Sequence, residues 1–266
     1  MAVACSTSAF KGSLADALGE VEGLGFAHVD LIAIPGWNHI VPADLADDWD
    51  AVAGQVEALL ERHGLAPVAM NMAVAHPHRR DDEETNAQRL REVEAIARLM
   101  NRLGVEVASF YPGYKAEDRA WDEVLGDTAA TVREMLSVAG AAGVTLAVEL
   151  HYNTPFETVE QGQGLLAAVP ELQVAYDPSH FAMQEIGLRE TEPFLDRTAH
   201  VHLRDAGPGK MQMPFGAGTV DFDWIVDALA ERGYAGHCSI EYLPGIEGGP
   251  AASISGLRDE LTARLG

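Results

Sequence analysis

VTLAVELH (residues 144–151), LQVAYDPSH (172–180), AHVHLRD (199–205) and HCSIEY (237–242) are four short apolar runs, each ending on or carrying a residue that binds metal ions well. The four residues are Glu149, Asp177, His202 and Glu241. A charged group at the end of a buried strand is costly unless something pairs with it. Four such strands in one chain imply four groups converging on one cation at one end of a barrel.

The same rhythm extends through the rest of the chain. Eight segments read as strands: Val3–Ser6, His28–Ile34, Pro67–Val74, Val105–Tyr111, Val144–Leu150, Leu172–Asp177, Ala199–Leu203 and His237–Tyr242. Helical patterns separate them. The clearest runs from Glu84 to Leu103, where Leu90, Val93, Ile96, Ala97, Met100 and Leu103 keep the three-to-four spacing of one helix face. Trp121–Ala142 and Trp224–Arg232 read alike, and Gly64, Gly104, Gly143 and Gly233 punctuate helix-to-strand turns. Repeated βα units imply right-handed crossovers and a parallel sheet. Eight near-regular repeats favour closure over an open sheet, and the first turn, STSAFKGSL, lacks the G-x-G-x-x-G of a dinucleotide fold. The expected fold is an α/β single (β/α)8 TIM barrel, with residues 1–266 forming one domain.

Composition narrows the function. The chain has 266 residues, 41 acidic against 18 basic, and a net charge of −23, which repels nucleic acid and anionic membranes. Two cysteines, Cys5 and Cys238, suit a reducing compartment. The first residues, MAVACSTSAF, lack a basic segment followed by a long apolar stretch, so no secretory signal and a cytoplasmic location are expected. No run is long and apolar enough to span a membrane.

Strand alternation sorts the polar residues. His200, His202 and Arg204 share a face in the seventh strand, with His200 one layer deeper as a buried support, and Glu149 and His151 share a face in the fifth. Small residues, Ala147, Ala175 and Ser239, lie beneath the ligand positions. Three carboxylates and one imidazole make a mostly oxygen site, which points to Mn²⁺, Mg²⁺ or Co²⁺ rather than a structural zinc.

These motifs resemble those of a known family. Asp177-Pro178-Ser179-His180 matches its D-x-x-H, His200–Asp205 its H-x-H-[hydrophobic]-[KR]-D, and Gly233–Glu241 its G-Y-x-G-x-x-x-[IV]-E. PFGAGTVDF (214–222) is similar to its glycine-rich late loop. The family is the xylose isomerase-like barrel superfamily of sugar isomerases and epimerases, and within it the ketose 3-epimerases. The resemblance implies one divalent metal, manganese first and Mg²⁺, Co²⁺ or Zn²⁺ as alternatives, held by Glu149, Asp177, His202 and Glu241. It also implies that Glu149 and Glu241 are the acid–base pair acting on an α-hydroxyketone, and that His180 contacts the substrate. His151, Arg204, Lys210 and His76 are further substrate-contact candidates. Arg204 and Asp205 are expected to brace the site by pairing, and Trp37 and Tyr111 to form an apolar wall or to pack in the core. Two departures stand out. A further glutamate that the ketose epimerases carry after the fifth strand is replaced by Pro155-Phe156, with Glu157 an approximate substitute. The late loop reads Pro214-Phe215-Gly216-Ala217-Gly218 rather than P-G-x-G.

The expected function is therefore epimerisation or isomerisation of a keto-sugar, inosose or small hydroxy-oxo acid through an enediolate. A dehydratase of a keto-polyol or dehydroshikimate is the alternative on the same scaffold. An endonuclease of the related barrel would need extra histidines after His202, and residues 206–236 contain none. A binding subunit with a lost site would lack a ligand, and all four are present. The expected partner is a carbohydrate-like small molecule, with a homodimer or homotetramer as the assembly.

Overall fold

The computed structural model describes residues 2–75, 82–115 and 119–265. Its strands are β1 (Val3–Ser6), β2 (His28–Ala33), β3 (Ala66–Met72), β4 (Val107–Phe110), β5 (Thr145–Glu149), β6 (Gln173–Tyr176), β7 (Thr198–Leu203) and β8 (Cys238–Ile240). All pair in parallel with their sequence neighbours, and β8 returns to β1, so the sheet is a closed eight-stranded barrel. The helices are α1 (Leu14–Gly23), α2 (Pro42–Asp47), α3 (Trp49–His63), α4 (Glu83–Leu103), α5 (Trp121–Ala141), α6 (Val159–Ala168), α7 (Ser179–Ala182), α8 (Glu192–Leu195), α9 (Phe222–Glu231) and α10 (Pro250–Leu265). The TIM barrel expected from the strand–helix rhythm is the fold observed. No helix among the described residues is long and apolar enough to cross a membrane.

Local chemistry sets the helix ends. In α4, Asp82 caps the first turn by accepting from Thr85 N at 2.9 Å, and the chain leaves through Gly104 at φ +71°, a conformation that costs a side-chain-bearing residue more than glycine. In α9, Asp221 accepts from Trp224 N at 2.9 Å, so the helix starts at Phe222, two residues before the sequence pattern places it.

Alternation divides the buried residues into two layers. Leu146, Val148 and Leu150 of the β5 segment join Val201 and Leu203 of β7 in the apolar core shared with the helices. Each such side chain contributes about 1.5–3 kcal/mol when fully buried. The interior carries the opposite parity, including Ala147 and Ala175, Ser109 and Ser239, and the charged groups of the site. The strands end slightly sooner than expected: Asp177 and Glu241 lie one residue beyond β6 and β8. Both sit at the rim on the C-terminal side, where barrels place their chemistry.

Candidate active site

Glu149, Asp177, His202 and Glu241 are all buried, and each offers a ligand atom within 4.8 Å of the others. His202 Nδ1 lies 2.6 Å from Glu149 Oε1 and 3.5 Å from Glu241 Oε2. Arg204 sits among them with every donor engaged. Its Nε donates to Ser179 Oγ at 2.8 Å, Nη1 to the Glu241 carbonyl at 2.9 Å and to Glu241 Oε2 at 3.1 Å, and Nη2 to Asp177 Oδ2 at 2.7 Å. The D-P-S-H turn supplies a further hold, since Ser179 N donates to Asp177 Oδ1 at 2.8 Å. On the far side of the barrel, Asn71 Nδ2 donates to Glu241 Oε1 at 2.7 Å.

The electrostatics separate the two glutamates. Burial, with the charges of Glu149 and Asp177, pushes Glu241 up to about 7 against the pull of His202 and Arg204. Burial also raises Glu149, but its bond to His202 and the nearby histidine charges win, holding it well below the usual carboxylate range. Burial lowers His202, yet Glu241, Asp30 and Glu149 together keep it protonated. Four buried carboxylates, counting Asp30, thus face one guanidinium and one imidazolium. Uncompensated buried charge costs several kcal/mol per ion. The donor chemistry fits a hard divalent cation at Glu149, Asp177, His202 and Glu241.

Above this cluster opens a cavity of about 380 Å³. Its polar lining includes Glu149, Glu241, Arg204, Asn71 and His151, and its aromatic and aliphatic lining Trp37, Tyr111, Tyr114, Tyr152, Ile32, Ile34 and Leu243. Trp37 and Tyr111 are thus placed where a wall was expected.

The remaining candidates divide, with His180 adjoining the quartet, its Nε2 3.5 Å from Asp177 Oδ2 and 3.8 Å from Glu149 Oε2. His180 is completely buried and does not line the cavity; the His151 ring packs over it at 3.7 Å between centroids, and Arg204 Nη2 holds its Nε2 at 3.0 Å. Burial and the neighbouring His151 and Arg204 charges keep His180 well below its ordinary pKa, hence neutral. Lys210 is exposed and outside the cavity lining. The cause is a tight turn: Gly207 N donates to Lys210 O at 3.0 Å, Lys210 N returns a bond to Gly207 O, and Gly209 N ties the turn to Met183 O. His76 lies outside the described residues. Asp205 braces a loop rather than the ligands, because alternation turns it away from Arg204. It accepts from Gly216 N and Gly218 N, both at 2.9 Å. A Cβ on Gly218 would stand 2.0 Å from Asp205 Oδ1, so the P-F-G-A-G loop needs glycine there. Glu157 is occupied by Lys115 and by Asn153 N, tying the β4 and β5 loops together.

The sequence reading missed Asp30 and Asn71. Both interrupt apolar strands, HVDLIA and APVAMNM, where a buried polar residue requires a partner.

With this geometry in place, comparison with known proteins fixes the family. The family model described as xylose isomerase-like TIM barrel matches residues 18–259. The chain belongs to this family. Among curated relatives, the L-ribulose-5-phosphate 3-epimerase UlaE of Salmonella paratyphi B is 26% identical over 190 residues, 70% of this chain. The chain spans 66% of that relative's length. Among solved structures, the 3-keto-D-glucoside 4-epimerase YcjR from E. coli matches with a TM-score of 0.76 at 17% identity, covering 98% of this chain and 99% of that one. The IOLI protein with a bound zinc atom matches at 0.73 and 19%, covering 99% and 97%. The probable 3-DHS dehydratase AsbF from Bacillus anthracis matches at 0.73 and 16%, covering 98% and 99%. These structural likenesses establish the fold alone.

Proposed function

We propose that this chain is a divalent-cation-dependent epimerase or isomerase of a small keto-sugar or related hydroxyketone, acting as one barrel domain in the cytoplasm. The observation that carries the reading is the buried quartet Glu149, Asp177, His202 and Glu241, with two glutamates reaching the cavity. When bound, the cation would polarise the oxygens of the hydroxyketone. One of Glu149 and Glu241, ionised, takes the proton from the carbon beside the carbonyl, and the other, having first taken a proton from solvent, delivers it to the opposite face. Arg204 and Asn71 fix the Glu241 carboxylate during the exchange. His151 and the aromatic lining orient the substrate and exclude water. The curated relative named as an L-ribulose-5-phosphate 3-epimerase supports this class of reaction.

A dehydratase shares the proton-abstraction step and then expels a β-hydroxyl, and the fold likeness to AsbF keeps that reading in view. One experiment separates them. The cation-loaded protein is incubated in D₂O with a panel of keto-sugars and inososes. Deuterium at the carbon beside the carbonyl, with an epimer and no loss of water, is expected. A dehydrated product selects the lyase, and no exchange with any substrate, with or without Mn²⁺, overturns the proposal.

A further inference from the structure

Asp30 is a carboxylate set in the middle of an apolar strand and completely buried. Its Oδ2 lies 3.1 Å from His202 Nε2 and 3.0 Å from His200 Nε2, while its Oδ1 has no hydrogen-bond partner among the described residues. The two imidazoles meet edge to face, 4.9 Å apart and at 85°. We propose that Asp30 is the positioning residue that selects which nitrogen of His202 faces the cation, with His200 as the donor that holds Asp30 in place. The proposal rests on the reading of Glu149, Asp177, His202 and Glu241 as a cation site.

An ionised carboxylate accepts hydrogen bonds and donates none. Two ring nitrogens aimed at one oxygen must therefore both carry hydrogen. With Nε2–H of His202 committed to Asp30, the Nδ1 lone pair is the one left for a cation, and Nδ1 is the atom that faces Glu149 and Glu241. Without Asp30 the ring has no reason to keep that tautomer, and it can rotate about its bond to Cβ.

The backbone carries a second, independent sign. Two of the barrel's strand pairings break register. Between β2 and β3 the partners step from Val29–Pro67 to Asp30–Ala69, skipping Val68. Between β6 and β7 they step from Val174–Thr198 to Ala175–His200, skipping Ala199. One irregularity thus falls at Asp30 and the other at His200. A bulge re-aims the side chains beside it, and these two stand on either side of the Asp30–His200 contact.

The same three residues, Asp30, His200 and His202, also bring ligand atoms within 4.8 Å of one another. A second ion there is the rival explanation, and stoichiometry separates the two. The test uses metal-free wild type, Asp30→Asn and His200→Gln, each titrated with Mn²⁺ and followed by the paramagnetic resonance of the free ion. The wild type is also loaded with diamagnetic Zn²⁺ for ¹⁵N nuclear magnetic resonance of its histidines. Expected are one ion per chain, affinity about 10- to 100-fold weaker in Asp30→Asn, and a smaller loss in His200→Gln. The loaded wild type should show His202 protonated at Nε2 and not at Nδ1. That spectrum stands even where Asp30→Asn fails to fold. Wild-type affinity retained in a folded Asp30→Asn, or a proton on Nδ1, overturns the role of Asp30 while leaving the cation site intact. Two ions per chain, one of them lost with Asp30, overturns it in favour of the rival. A wild type that binds no ion removes the cation reading itself, and this proposal with it.

Discussion

The two halves of the barrel contribute differently to the site. All four candidate ligands come from the second half, at or just past the ends of β5, β6, β7 and β8. From the first half come Asp30 on β2 and Asn71 on β3, neither a member of the quartet, which reach across the interior to His202 and Glu241. One half thus offers donors to a cation, and the other fixes how two of those donors are presented. Such a division follows from closure. In an open sheet β2 and β7 would lie far apart, but in an eight-stranded barrel their inward side chains share one narrow interior.

The sharpest way to break this division is to remove the proton-transfer capacity of the second half and keep its shape. Glu149→Gln and Glu241→Gln are each expected to lower turnover by about 10²–10⁴-fold, the usual range for a lost general acid or base. Thermal unfolding should remain cooperative in both. Near wild-type solvent-proton exchange in either purified variant would remove that glutamate from the acid–base pair.

Next in size is the response to pH. In the metal-free protein Glu241 is pushed up to about 7, chiefly by burial. Raised above its ordinary 4.5, it favours the metal-free fold while protonated, and that contribution fades as pH rises from about 4.5 through 7. A cation needs the ionised form, so its affinity should fall about tenfold per unit below pH 7. The rise in melting temperature caused by saturating Mn²⁺ should accordingly be larger at pH 8 than at pH 6. An equal or reversed shift, measured by calorimetry at the two values, would contradict the placement of Glu241 among the ligands.

The first half is tested by Asn71→Ala. Glu241 Oε1 would lose its donor inside the barrel, at about 1–3 kcal/mol. Turnover is expected to fall roughly tenfold, with cation affinity changing less, because Arg204 still holds Oε2. A drop as large as that of Glu241→Gln would make Asn71 part of the reacting machinery rather than a support. These unequal effects also explain what could be read from the sequence. Eight βα repeats and four ligand-bearing strand ends are periodic signals, visible along the chain. Asp30 and Asn71 are single polar residues in apolar strands, and their partners lie 172 and 170 positions away, so only closure of the barrel identifies what they satisfy. His180 was legible as a residue of the site but not as a covered one, since the packing of His151 over its ring depends on where the β5 loop turns.

The smallest effect is expected at Lys210. As a basic residue in the long loop after β7, it reads as a substrate contact because barrel enzymes carry their specificity on such loops. The turn from Gly207 to Lys210 closes on itself through two backbone bonds, and Gly209 N anchors it to Met183 O, which leaves the lysine side chain in solvent. These three bonds are all backbone bonds, so Lys210→Ala should change kcat/KM by less than about twofold, within the ±0.5 kcal/mol of ordinary surface substitutions. A tenfold rise in KM with kcat unchanged would show that the loop swings inward over a bound substrate. Lys210 would then be a direct substrate contact, adding to the recognition that His151 supplies from the same half of the barrel.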